Sequence, residues 1–156
     1  MLIASSQAAL AEDSTSQEVL DNISQNCSSI KQSLTDLQRA DSRTRTYLGT
    51  AYESVAGDFI TPLNLRLVKN NRVDTKLLEV QGDFSEQQSN FRVEYTTYMR
   101  ELEGLIGIDC QKHAQEFYRQ LEKTREHRAK LHNTVEKLNK LVQAQYQGVV
   151  TLKEDL

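Results

Sequence analysis

Apolar residues in this chain recur in alternating steps of three and four, and they do so in three separate stretches. The first extends from Leu20 to about Ile60, through Ile23, Cys27, Ile30, Leu34 and Leu37, resuming at Leu48, Ala51 and Val55. The second, from Val73 to about Leu105, takes in Leu77, Val80, Phe84, Phe91 and Tyr98. The third reads Phe117, Leu121, Leu131, Val135, Leu138, Val142, Val149 and Leu152. This spacing lines one face of an α-helix, whereas a half-buried strand needs strict alternation. A single long helix with such a stripe is driven to oligomerise. Three can bury their stripes against one another at crossings of about +20°. The expected fold is all-α: an elongated antiparallel three-helix bundle or coiled coil, with residues 16–156 as one domain.

Two breaks separate the stretches. Thr61-Pro62 disfavours further helix, because proline pushes the preceding residue out of the helical region. The following LNLRLVKNNR is either extended or a short helix using Pro62 in its first turn, and Asn70-Asn71 signals a turn. GLIGID, residues 104–109, supplies the second break, with Asp109 as a candidate N-cap for the third helix. Gly49 and Gly57 weaken the first helix without shifting its register. Gly82 with Ser85-x-x-Gln88 offers a capping box, but the heptad continues through it and favours one helix. Polar residues interrupt every seam: Asp41 and Thr44 in the first, Gln87, Glu94 and Glu101 in the second, Thr124, Arg128 and Gln145 in the third. Such interruptions lower stability but fix register and pairing.

The only two cysteines, Cys27 and Cys110, belong to this geometry. Folding the chain about position 68 or 69 sets them at the same level, where a disulfide needs Cα atoms roughly 4.4–6.8 Å apart. Closing so long a loop is worth roughly 4–5 kcal/mol in the chain-entropy model. The alternative is two free buried thiols in a cytosolic bundle. A disulfide points to an extracytoplasmic location: periplasm, cell surface or secreted. Residues 1–15 then read as a residual signal or disordered N-terminus. Ala9-Leu10-Ala11 has the small-x-small form of a cleavage site, though no basic segment precedes it. Asn22-Ile23-Ser24 and Asn26-Cys27-Ser28 match the glycosylation sequon.

Charge argues against nucleic acid as a partner. The net charge is −3 over 156 residues, and nucleic-acid binding usually needs a basic face. Residues 1–60 carry 4 basic and 8 acidic groups, whereas residues 110–156 carry 9 and 6. An acidic first helix and a basic third would attract. No run of 18 apolar residues exists, so membrane association is expected only through a segment not present here. Self-association into a homo-oligomer is left open.

No catalytic constellation stands out, and no enzyme activity, cofactor or metal is expected. His127 and His132 are five apart and diverge on a helix, whereas paired zinc ligands want a spacing nearer four. Asp109–His113, His113–Glu116 and His132–Glu136 fall at helical spacing but read as surface contacts or capping. Cys110 with His113 is the most enzyme-like pairing, and the disulfide uses the same cysteine. Tyr47, Tyr52, Tyr95 and Tyr118 lie just off the seams and are candidate partner contacts.

Two resemblances add to this. Leu34-Thr35-x-x-Gln38-Arg39 resembles the Leu-Thr-x-x-Gln motif of the Spy/CpxP family of small periplasmic helical proteins. It implies a cradle-shaped dimer that chaperones unfolded clients or senses envelope stress. The chain has one copy where that family usually has two. CSSIKQSLTDLQRADSRTRTYLG, FITPLNLRLVKNN and IDCQKHAQEFYRQLEKTREHRAKL are together similar to uncharacterised exported helical proteins of Saccharibacteria-type bacteria. That resemblance implies export and no known activity. The expected function is an exported structural or interaction module of the cell envelope, acting through helix faces on an unknown protein partner. The alternatives are a periplasmic chaperone or stress sensor, and a cytosolic coiled-coil adaptor.

Overall fold

The computed structural model describes residues 16–154. All of its regular structure is helical. The first arm comprises α1 (Gln17–Gln25), α2 (Cys27–Ser54), a π-helical stretch (Val55–Ile60) and α3 (Thr61–Lys69). The second is α4 (Thr75–Gly107) and the third α5 (Ala114–Glu154). Between α1 and α2 only Asn26 leaves helical geometry, and the backbone bonds Asn26 N to Asn22 O and Ile30 N to Asn26 O carry the ladder across, each at 3.0 Å.

Helix continues through Pro62 because the turn before it widens. Thr61 N donates to Ala56 O, five residues back. In a regular α-turn the Pro62 ring would meet the Asp58 carbonyl, and the missing N–H would leave that carbonyl unpaired. The π-turn absorbs the clash but adds a residue, so the register that Gly57 was expected to preserve shifts here. LNLRLVK is accordingly helical.

The first hairpin closes by a Schellman arrangement. Arg72 N donates to Leu67 O at 2.9 Å and Asn71 N to Val68 O at 3.1 Å. Asn71 takes φ 55°, the left-handed conformation that asparagine tolerates better than most residues. Asp74 then caps α4 by accepting from Leu77 N at 3.1 Å. At the other end of α4 the expected role of Asp109 needs correction. Its carboxylate accepts from Gln111 N at 3.2 Å and its carbonyl from His113 N at 2.8 Å. Asp109 thus closes a turn over residues 110–112, and α5 starts only at Ala114.

Packing follows the heptads. On α4 the side chains of Leu77, Phe84, Phe91, Tyr98 and Leu105, each seven apart, are buried. On α5 Phe117, Thr124, Leu138 and Gln145 are buried on the facing seam. One apolar cluster gathers Ile23, Tyr98, Leu102, Leu105 and Phe117 around the cysteines. A second joins Tyr52, Ile60, Phe84, Phe91 and Leu138. In it Tyr52 meets Phe84 and Phe91 edge-on, with centroids 6.1 and 5.6 Å apart. Such pairs add about 0.5–1.5 kcal/mol each beyond area burial. α5 packs tightly on α4 at Gly148, where a Cβ would lie 2.5 Å from Leu77 Cδ2.

Cys27 and Cys110 form a disulfide with Cα atoms 5.5 Å apart. It joins the start of α2 to the connection before α5, fastening the end of the rod remote from the Asn70-Asn71 turn. At about 1.5 Å per residue, α5 alone is roughly 60 Å long.

Candidate functional site

In the first arm α2 runs parallel to α5. Asp41 meets Arg128, and Tyr52 meets Asn139, each pair 87 residues apart. Along this seam the two helices leave a furrow with two bays. The bridge from Tyr52 OH to Asn139 Oδ1, 3.3 Å, lies between them.

The mid-rod bay has a volume of about 390 Å³. Its edge is a polar layer to which each arm contributes one residue. Tyr98 OH donates to Asp41 Oδ2 at 2.7 Å. Arg128 grips the same carboxylate with Nε to Oδ2 at 3.2 Å and Nη2 to Oδ1 at 3.3 Å. The Asp41 hydrogen bond drives the Arg128 pKa up, keeping the guanidinium charged. Burial, reinforced by Asp41, pushes the Tyr98 phenol far above its ordinary value. Tyr98 therefore serves as a donor and stays protonated. Beside this layer the Arg45 guanidinium sits 5.2 Å from the Tyr95 ring centroid, a cation–π distance. Leu48, Phe91, Leu131 and Val135 supply the apolar lining.

The distal bay, near the first hairpin, is about 440 Å³ and apolar, lined by Val55, Phe59, Ile60, Leu63, Val142 and Val149. Asp58 and Arg66 carry the charges at its edge. Phe59 and Tyr146 stand 68% and 65% exposed beside it. Gln145 also lines it, buried, with neither carboxamide atom hydrogen-bonded. On α3 the buried Asn64 Nδ2 donates to Leu77 O at 3.1 Å and to Gln81 Oε1 at 2.7 Å.

The glutamates on the α4 seam are answered by α5. Glu101 accepts from Lys123 Nζ and Gln120 Nε2, both at 2.9 Å. These partners, Lys123 foremost, hold its carboxyl below the usual range. Glu94 accepts from Thr134 Oγ1.

The four off-seam tyrosines separate in the structure. Tyr47 is 73% exposed. Tyr52 is only 4% exposed, because the helix turns its ring into the second core cluster, which corrects its expected place among partner contacts. Tyr95 is half-buried, bonded to Ser42 Oγ at 3.3 Å and covered by Arg45. Tyr118 packs against the core around the cysteines. His132 Nε2 lies 3.3 Å from Glu136 Oε1 on the surface, and His113 is exposed at the start of α5. Within the Leu34-Thr35-x-x-Gln38 stretch, Leu34 packs on the core and Thr35 Oγ1 donates to Lys31 O. Among the described residues no three His, Cys, Asp or Glu side chains are grouped to hold a metal ion, and no helix is long and apolar enough to cross a membrane.

Comparison with known proteins returns nothing: no family model, no curated protein and no solved structure matches this chain.

The two bays are what sequence reasoning missed. A signal for the first was present. Asp41 interrupts the first seam and Arg128 the third, and carrying the hairpin arithmetic across both turns brings them level. The distal bay had no comparable signal, since it depends on the π-turn.

Proposed function

We propose that this protein is an extracytoplasmic interaction rod, fastened by its disulfide and binding a protein partner through the face between the first arm and α5, without catalysis. The observation that carries this reading is the distal bay, where large apolar side chains stand open to solvent next to a concave apolar surface. Phe59 and Tyr146 are joined there by Val149, 37% exposed. Exposed aromatics around an apolar hollow are typical of interface anchors. The disulfide supports an oxidising compartment.

The test is site-specific photocrosslinking in the native host, with the probe replacing Phe59, Tyr146 or Val93. Val93 is exposed on α4 and serves as the control. Discrete adducts from positions 59 and 146, absent at 93, are the expected result. Equal adducts at all three positions, or none, would overturn the reading. Peptide mapping without reductant, on protein taken from its native compartment, should recover the Cys27–Cys110 cross-link. Free thiols there would move the protein to the cytosol.

A second reading is favoured by the further exposed apolar residues Leu65, Val68, Val73 and Leu78 near the hairpin. They suit a chaperone that holds unfolded clients. That reading expects suppressed aggregation of a reduced client without ATP, and fails if a molar excess leaves light scattering unchanged.

A further inference from the structure

The mid-rod bay has a chemistry that the proposed partner-binding role does not use. It is lined by two guanidinium groups and an apolar surface, and both cations retain free N–H donors. Arg128 commits Nε and Nη2 to Asp41, which leaves Nη1 without a hydrogen-bond partner among the described residues. Arg45 has no carboxylate partner among them and is held by the Tyr95 ring. Asp41 is neutralised by Arg128, so Arg45 leaves the lining with one excess positive charge. His132, the remaining titratable side chain in the lining, faces Glu136 on its own helix.

We infer that this bay binds an organic anion with a medium-length apolar tail, its carboxylate or phosphate head between Arg45 and Arg128 and its tail along Leu48, Leu131 and Val135. A guanidinium meets such oxyanions with two directed hydrogen bonds. Both guanidinium groups are held before binding, one by Asp41 and one by Tyr95, so less ordering remains for the ligand to impose. Phe91 and Leu48 give the tail a surface sheltered from water. The volume of about 390 Å³ lies within the range of roughly 300–1,000 Å³ usual for small-molecule sites.

The test is titration of the intact disulfide-bonded chain, below micellar concentrations, with decanoate, decyl phosphate, decanol and decyltrimethylammonium. Calorimetry gives affinity, and amide shifts at Ala129 and Val135 locate the site. At least one anion should bind about tenfold more tightly than decanol, as expected for charge-assisted hydrogen bonds. The better anion identifies the head group. Arg45→Gln should erase the preference without changing the thermal midpoint, and Arg45→Lys should restore part of it. Phe59→Ser, in the other bay, should leave it intact. The proposal is overturned if decanol or the cation binds as tightly as both anions, if Arg45→Gln keeps the preference, or if shifts cluster around Phe59 instead. None of these outcomes depends on a protein partner, so the two proposals stand or fall separately.

Discussion

Arg128 and Asp41 form a two-pronged ion pair between the third and first arms, and its partly sheltered carboxylate also receives the fully buried Tyr98 hydroxyl. The two interactions differ in worth. The ion pair faces water, with Arg128 52% exposed, and exposed pairs contribute roughly 0–1 kcal/mol. The phenol has no water to fall back on. Asp41→Ala should therefore destabilise by about 2–3 kcal/mol, since it leaves a buried donor unpaired, while Arg128→Ala should cost under about 1 kcal/mol. Urea unfolding of the two variants checks this order.

Tyr98 also sets a pH dependence. Its folded pKa lies above the ordinary value of 10.0, so above pH 10 the unfolded chain loses a proton that the folded chain keeps. Stability is fully present below pH 10 and falls as pH rises beyond it. Tyr52, raised by burial, acts in the same direction. Glu101 is the acid counterpart. Its pKa is depressed, chiefly by Lys123, so its contribution is present above its ordinary 4.5 and fades as pH falls below that value. Tyr98→Phe should flatten the alkaline limb and Glu101→Gln the acid limb, as measured by urea midpoints across pH.

The disulfide encloses a separation of 83 residues. Cys110 is inaccessible and Cys27 nearly so. The native chain should resist thiol reagents and mild reductant. After unfolding in reductant, or with both cysteines replaced by serine, stability should drop by about 4–5 kcal/mol on the loop-closure model. A drop below about 1 kcal/mol in guanidinium titrations would show that loop closure is not what holds this end together.

The architecture was legible because period and punctuation agreed. The heptad of Leu77, Phe84, Phe91, Tyr98 and Leu105 depends only on local spacing, and the buried face of α4 follows it residue by residue. The cysteine pairing was legible for a related reason: helix rise is constant, so equal counts from a turn mean equal height. Asn71 marked that turn through a backbone preference of its own. Pro62 misled, because its sequence signal is a helix breaker, and whether the chain breaks or widens depends on the packing around Ile60. The bays arise from the spacing between parallel helices, to which no local pattern corresponds. The inward turn of Tyr52 was hidden for a similar reason, since a residue at a seam edge turns inward or outward according to its neighbours.

Gly148 offers a test of the α4–α5 approach. Alanine there would drive its methyl into Leu77, which is itself buried. Overpacking costs about 1–3 kcal/mol and outweighs the roughly 1 kcal/mol gained in helix propensity. At Gly82 an added Cβ meets nothing within 4 Å, so only the propensity term operates. Gly148→Ala should lower the thermal midpoint and Gly82→Ala should raise it. Opposite signs from one chemical change would locate the tight crossing.

Gln145 makes the last prediction. Its carboxamide is shielded from water at 6% residue exposure, and neither polar atom has a partner. An unsatisfied buried amide costs about 1–3 kcal/mol, whereas an apolar side chain of similar shape avoids the penalty. Its neighbours Val142 and Val149 would accept leucine. Gln145→Leu should therefore stabilise the fold by about 1 kcal/mol or more, read from the shift in the urea midpoint at constant slope. The same variant should leave the Asp41–Arg128 layer, nearly five helical turns away, unaffected, so its effect should add to that of Asp41→Ala. Destabilisation instead would mean that the amide is hydrogen-bonded in solution, by water entering from the adjoining bay.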